Sequence, residues 1–352
     1  MIPEDAENPV RFAAVGLDHS HVLGQIAGLI GAGGTLVGLA SDDLGSDVAK
    51  QVLSQYPDVP VWDDVSGLIA KEDIDLVMTA AVPDRRSAIA IEALRSGKDV
   101  VTDKPGCVSL EELESIAAAV AESGRFWSVT FSERFEVRAV ARAGELVRAG
   151  RIGKVVQVLG LGPHRIGDHA HLAGGAGRPA WFYDKRRYGG ILTDIASHQI
   201  DQFLWLTGQK SADIATSAVG NFAHADRPGF QDFGEVVLRG DVAQGYIRVD
   251  WYTPTGLPTW GDGRLIVLGT EGYIEIRKYV DLVGRTGGNH LFVVDDRSTE
   301  YIDPSDTELT YYSDLIHDVH QRTQTACPQE HTFETMRLAL TAQQNATVIG
   351  AA

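Results

Sequence analysis

The chain is short of basic charge: 31 Lys and Arg stand against 48 Asp and Glu, a formal net charge of -17 at pH 7. No Lys/Arg-rich run offsets that excess, so a phosphate backbone would be repelled and no nucleic-acid partner is expected. Cysteine is equally scarce. Cys107 and Cys327 are far apart in the sequence, which argues against a disulfide framework and against any paired cysteine metal site. Long apolar runs are missing too, since nothing approaches the ~18–20 uninterrupted apolar residues of a membrane span. The opening segment MIPEDAENPV has neither a basic stretch nor an apolar core, so no signal peptide is expected. Internal repeats and low-complexity tracts are absent as well. What remains is the expectation of a soluble, cytoplasmic protein with no membrane partner.

What the sequence does hold is enough chain for two cores. Its 352 residues are 44% hydrophobic and 22% charged, and about 150 residues per domain gives a prior near two domains. The first 130 or so alternate short apolar runs with helical patterns. Arg11–Gly16, Leu36–Ala40, Asp75–Ala80, Asp99–Thr102 and Trp127–Phe131 read as strands. Helices are expected over Ser20–Ile30 and Asp84–Ser96, and another opens at the Ser109/Glu112 capping box. Strand, helix, strand with short connections predicts a doubly wound parallel sheet. Beyond a linking helix near Phe135–Ala149 the pattern changes. Val155–Gly162, Ala215–Phe222, Gly234–Leu238, Gln244–Trp251, Arg264–Leu268 and Tyr273–Arg277 predict a large, mostly antiparallel open sheet. One helix, Leu192–Leu206, interrupts these strands, and a last helical stretch begins near Phe333. The expected boundaries are 1–131 and 132–352, with the terminal helix packing back on the first domain.

Four segments carry candidate chemistry. Gly16-Leu17-Asp18-His19-Ser20-His21 joins the first strand to the first helix, the place where a dinucleotide pyrophosphate meets a helix N-terminus. Against G-x-G-x-x-G it keeps Gly16, with Asp18 and His21 in the other two places; an ordinary strand-to-helix turn reads the same way. Ser41-Asp42-Asp43 ends the second strand, where an acid can bind an adenosine ribose and repel a 2′-phosphate. No arginine stands beside these acids in the sequence, so NAD is expected over NADP. Asp103-Lys104-Pro105 follows the next-to-last strand of the first half. The proline restricts the lysine to extended geometry, and its ammonium can favour charge developing on a substrate oxygen. A solvated loop lysine is the plainer alternative.

The fourth segment is the most specific. In Gly189-Gly190-x-x-x-Asp194-x-x-x-His198-x-x-Asp201 the acid and the imidazole are four apart, so a helix puts them on one face. A carboxylate beside an imidazole after a diglycine makes an acid/base pair, although a salt-bridged core histidine would give the same letters.

Taken in this order, the four segments resemble the glucose–fructose oxidoreductase/inositol dehydrogenase/rhizopine catabolism (Gfo/Idh/MocA) family, with its E-K-P and G-G-G-x-x-x-D-x-x-x-H-x-x-D motifs; the second appears here as Tyr188-Gly189-Gly190 followed by Asp194, His198 and Asp201. The resemblance implies a Rossmann domain binding NAD or NADP, an α/β substrate domain that forms homodimers or homotetramers, and oxidation of a secondary alcohol on a sugar, cyclitol or glycoside. By similarity Lys104 contacts the reacting oxygen, Asp194 binds substrate and His198 moves the hydroxyl proton. Gly16, Asp18, His19, Ser20, His21, Ser41, Asp42, Asp103 and Lys104 are the cofactor candidates. Arg134, His164, Arg165, Trp181, Tyr183, Asp194 and His198 are the substrate candidates, and Trp251 lies on a segment expected nearby. Two departures stand out: Asp103 replaces the usual glutamate, and Arg86 stands where many members carry a histidine. Redox-neutral glycoside elimination with retained NAD, or nucleotide sensing without catalysis, are the alternatives. His164, Asp168, His169 and His171 match no ligand spacing, so no metal is expected.

Overall fold

The computed structural model describes residues 9–166 and 178–350. Their packing forms two units: 9–130 with 310–333, and 131–166 with 178–309 and 334–350.

In the first unit β1 (Arg11–Leu17), β2 (Thr35–Ala40), β3 (Val61–Trp62), β4 (Leu76–Ala80), β5 (Asp99–Asp103) and β6 (Trp127–Thr130) form one sheet in the order β3-β2-β1-β4-β5-β6. Every pairing is parallel. β4 and β5 are buried along their whole length, as strands covered on both faces must be. The connections are α1 (His21–Gly31), α2 (Asp47–Gln55), α3 (Val65–Ile69), α4 (Pro83–Arg95) and α5 (Leu110–Ser123). Strand order reverses between β1 and β4, the switch point where open α/β sheets bind ligands. α5 starts as expected: the Glu112 amide donates to Ser109 Oγ at 3.2 Å, and Gly124 ends the helix at φ +65°. The glutamate carboxylate, however, accepts from the Val108 amide (2.8 Å).

Four elements of this unit have no counterpart in the sequence pattern. β3 has two residues and α3 five, too few to show a period, and α2 is the third. The fourth is α10 (Tyr311–Gln321), which lies against α1, where a methyl group on Gly28 would come within 2.4 Å of the Tyr312 ring. Counting β3 makes Asp99–Asp103 the fifth strand, with Asp103 as its last residue.

The second unit opens with α6 (Ser132–Phe135) and α7 (Arg138–Arg148), then β7 (Val155–Pro163), α8 (Lys185–Tyr188) and α9 (Ser197–Thr207). The single linking helix expected from Phe135 is thus two, because Val137 between them is extended. β8 (Asp213–Gly220), β9 (Phe233–Arg239), β10 (Gln244–Asp250), β11 (Arg264–Gly269), β12 (Gly272–Arg277), β13 (His290–Asp295), β14 (Thr299–Ile302) and β15 (Thr347–Ile349) complete the nine-stranded sheet, ordered β14-β13-β12-β11-β7-β10-β9-β8-β15. The β7–β10 and β8–β15 pairs are parallel and the rest antiparallel. β9 and β10 alternate buried and half-buried residues, the mark of a sheet packed on one face. β13, β14 and β15 were not expected. The last helix, α11 (Gln329–Gln344), begins four residues before Phe333.

α9 covers β7 closely because β7 carries glycines there: a methyl group on Gly160 would lie 2.8 Å from Gln199 Cβ. The turn before α9, Leu192–Ala196, is π-wound, which corrects the regular helix expected from Leu192. Its first amides are capped by glutamine side chains from distant segments, Ile191 to Gln231 Oε1 and Leu192 to Gln343 Oε1, both 3.0 Å. Among the described residues no helix is long and apolar enough to cross a membrane.

Candidate active site

The first-unit candidates gather around the turn after β1. Gly16 has φ +72°, and a methyl group there would meet Ala81 Cβ at 2.4 Å, so both handedness and space demand glycine. The turn is then pinned from two sides. The Leu17 amide donates to Ser41 Oγ (3.1 Å), and the His19 amide donates to the Ala80 carbonyl (3.0 Å). Asp18 accepts from the Val82 amide (3.3 Å); burial raises its carboxyl above the usual range, partly opposed by that amide.

Asp103 is the hub of the unit. It is fully buried, and its oxygens receive Gln25 Nε2 and Arg86 Nη2, each at 3.0 Å. His21 Nδ1 lies 2.9 Å from Oδ1 and His19 Nδ1 3.3 Å from Oδ2. Burial alone would raise this carboxyl, but His21, Arg86 and His19 outweigh it and hold it well below the carboxylate range. His19 goes the other way. Burial, reinforced by His21, pushes its imidazole well below the ordinary value against the pull of Asp103.

Arg86, noted in the sequence as a departure, has an evident role here. Fully buried, it donates to the carbonyls of Ala81 (2.7 Å), Asp103 (2.8 Å) and Pro105 (2.9 Å) as well as to the Asp103 carboxylate. Those bonds grip the backbone on both sides of Lys104, which is itself buried. The Lys104–Pro105 peptide is cis. At the end of β2, Asp42 is largely exposed, and Arg85 Nη2 stands 3.6 Å from its Oδ2. The expectation that no arginine stands beside this acid is therefore corrected: α4 supplies one.

A dinucleotide fits this arrangement. Gly16 permits close approach, α1 carries no acidic residue in its first turn, and its N-terminal amides and dipole favour an anion. Asp42, exposed at the end of β2, offers a carboxylate that could accept ribose hydroxyls. Asp18 and His21 remain in the places of two fingerprint glycines.

In the second unit Gly189 and Gly190, at φ +88° and +90°, deliver the chain into the π-wound turn that holds Asp194. Asp194, His198 and Asp201 are all buried. Asp201 is taken by Arg134, whose Nε donates to its two oxygens at 2.7 and 3.0 Å. Arg165 likewise donates to the carbonyls of Pro254 (2.7 Å) and Leu257 (2.6 Å). The structure therefore gives both arginines partners within the protein. His164 donates from Nδ1 to the Gly162 carbonyl (3.1 Å) and packs against Trp251 and Trp260, with ring centroids 5.3 and 4.7 Å away. Trp181 packs on Phe182, and Tyr183 lies between Phe230 and the Arg227 guanidinium. Asp168, His169 and His171 fall outside the described residues.

Two features escaped the sequence reading. Arg178 sits over both Phe182 and Trp251, its guanidinium 4.3 and 4.4 Å from the ring centroids. Its Nε is buried with no hydrogen-bond partner among the described residues. Burial brings it down to about 10, opposed by the Asp194 charge. A lone arginine at the end of a long loop gave no signal beyond the aromatic run that follows it. The second feature is a buried ion pair, Glu133 with Lys278, joined by Gln199 (2.9 Å to Glu133) and Gln202 (2.8 Å from Lys278 Nζ). Lys278 holds the Glu133 carboxyl at about 2 against burial, with His198 and His164 adding to the effect.

Comparison with known proteins gives two family matches: residues 27–131 to "Oxidoreductase family, NAD-binding Rossmann fold" and 140–275 to "GFO/IDH/MocA C-terminal domain". The first match begins beyond the turn after β1. The scyllo-inositol 2-dehydrogenase (NAD(+)) of Bacillus subtilis (strain 168) is 26% identical over 324 residues, 88% of this chain and 87% of that protein. A crystal structure from Erwinia carotovora atroseptica SCRI1043, assigned by class alone as an oxidoreductase, is 43% identical with a TM-score of 0.92, covering 97% of this chain and 100% of the other. A levoglucosan dehydrogenase complexed with NADH and levoglucosan has a TM-score of 0.78 at 16% identity, over 96% and 97% of the two chains. At that identity the likeness is one of fold.

Proposed function

The chain belongs to the Gfo/Idh/MocA oxidoreductases, with an NAD-binding Rossmann domain, and from that premise we propose that it oxidises a secondary alcohol on a sugar, cyclitol or glycoside. The single observation that carries this reading is the burial, within one short helical segment, of Asp194 and His198 at the family spacing. A buried carboxylate and imidazole suit proton transfer and hydroxyl recognition better than a solvated surface would. The boundary between a first domain of 1–131 and a second of 132–352 is kept, with 310–333 returning to pack with the first unit.

NAD, when bound, supplies the hydride acceptor; Gly16, Ser20, the α1 N-terminus, Ser41 and Asp42 would hold it. Lys104 places an ammonium on the reacting oxygen and favours negative charge there. Arg86 and Asp103 fix the backbone from which that lysine projects. His198 accepts the hydroxyl proton as the carbinol carbon gives up its hydride, and Asp194 binds a substrate hydroxyl. Trp251, His164 and Arg178 form an aromatic and cationic surface suited to the C–H faces and oxygens of a polyol. Val156, Leu268 and Tyr273, exposed on strands of the large sheet, suit association into a homodimer or homotetramer. Two buried free thiols, Cys107 and Cys327, suit a cytoplasmic setting.

Lys104→Met tests the assignment. It keeps the stem and removes the ammonium, so nucleotide affinity measured by titration should hold while turnover falls at least 100-fold. Normal turnover by the variant would sink the role given to this lysine.

A further inference from the structure

We propose that His19, His21 and Asp103 form a binding site for a zinc-like divalent metal ion. The inference does not depend on the oxidoreductase reading. Two donors come from the turn before α1 and from its first residue, and the third from the last residue of β5. One ligand atom from each residue lies within 4.8 Å of the other two. His21 Nδ1 is 2.9 Å from Asp103 Oδ1, and His19 Nδ1 is 3.3 Å from Oδ2. Nitrogen and oxygen donors about 2.0–2.1 Å from a tetrahedral zinc lie roughly 3.3 Å from one another; both His–Asp separations are already near that value, and the remaining one, within 4.8 Å, closes by side-chain rotation.

The two imidazoles meet edge to face, 74° apart with centroids 4.2 Å apart. Rings so inclined can aim two nitrogens at one ion, which stacked rings cannot. A hydrogen-bonded His–Asp pair would need one imidazole, yet here two converge on a carboxylate already receiving Gln25 and Arg86. Those two donors act as outer-shell partners, fixing the carboxylate as ligating carboxylates commonly are fixed. Asp103 and most of His19 are buried, while His21 remains 36% exposed along its side chain and gives a route of entry. Three protein donors leave a fourth position for water. An N₂O set favours zinc, cobalt, nickel or copper over magnesium or calcium. Arg86, whose Nη2 lies 3.0 Å from Asp103 Oδ2, opposes a cation, so binding is expected to be weaker than at a closed structural zinc site. Spacing alone could not reveal the site, because Asp103 lies 82 residues from His21.

The test uses the full chain, stripped with chelator and dialysed, and titrated with Zn²⁺ alone in competition with a chromogenic chelator. One ion per chain is expected. His19→Ala and His21→Ala should each raise Kd at least tenfold, with circular dichroism confirming that the variants are folded. His317→Ala, on α10, should bind as the parent does. Cobalt(II) should give the intense visible bands of four-coordinate ligation, which both variants lose. Failure of the parent chain to bind zinc stoichiometrically would overturn the proposal. So would unchanged affinity in the folded His19→Ala/His21→Ala double variant, or magnesium binding as tight as zinc. NAD titration of the metal-free parent reads the nucleotide assignment separately.

Discussion

Replacing Lys278 with methionine removes one member of a buried pair and leaves the other in place. Lys278 and Glu133 are 1% and 3% exposed, so the Glu133 carboxylate would lose its cation where water cannot substitute for it. A carboxyl drawn from 4.5 to about 2 contributes about 3 kcal/mol at neutral pH by linkage. Breaking a buried pair by deleting one partner costs about 3–5 kcal/mol, so the two routes agree. Urea unfolding followed by tryptophan fluorescence should therefore show Lys278→Met destabilised by about 3–5 kcal/mol. Lys278→Met/Glu133→Gln, with no buried charge left, should recover most of that loss. The pH dependence has a definite sign. Because the folded carboxyl titrates below its unfolded value, its contribution is full above about 4.5 and disappears as pH falls toward about 2. Lys278→Met should lose much of that dependence. A single variant within about 1 kcal/mol of the parent, or strictly additive single and double variants, would refute the reasoning.

Three further outcomes are expected. His198→Asn should slow alcohol oxidation about 10²- to 10⁴-fold and remove the fall in oxidation at low pH that protonating the base produces; a rate and pH profile unchanged at saturating substrate would exclude His198 as the base. Asp42→Ala should narrow the preference for NAD over NADP in binding titrations, more so because Arg85 at 3.6 Å would then be released toward a 2′-phosphate; an unchanged ratio would remove Asp42 from cofactor selection. Arg178→Gln should raise KM by about 10- to 100-fold, the worth of a hydrogen bond from a charged donor, with a smaller effect on kcat; an unchanged KM would place Arg178 outside substrate recognition.

The elements legible in the sequence were those whose signals are local. Strands β1, β2, β4 and β5 were visible as apolar runs, and α5 was announced by Ser109 and closed by Gly124. β9 to β12 showed their alternation. What could not be read depends on residues that meet only after folding. The π-wound turn is capped by Gln231 and Gln343, which lie 40 and 151 residues away. Asp103 was expected beside Lys104, but its meeting with His19, His21, Gln25 and Arg86 comes from the adjacency of β1, β4 and β5. Arg134 was expected to face substrate on its residue type; its tie to Asp201 could not be seen from spacing. Arg85 followed the same logic, because α4 brings it to the end of β2.

The most direct measurement is nicotinamide reduction by the purified protein across a panel of sugars, cyclitols and glycosides, read at the reduced-cofactor absorbance band with NAD and with NADP. At least one polyol is expected to drive cofactor reduction, faster with NAD, and Lys104→Met is expected to abolish that signal while still binding NAD. A folded protein that binds NAD yet reduces it with no member of the panel, in the forward direction or in reverse from the corresponding ketones, would contradict the proposed activity.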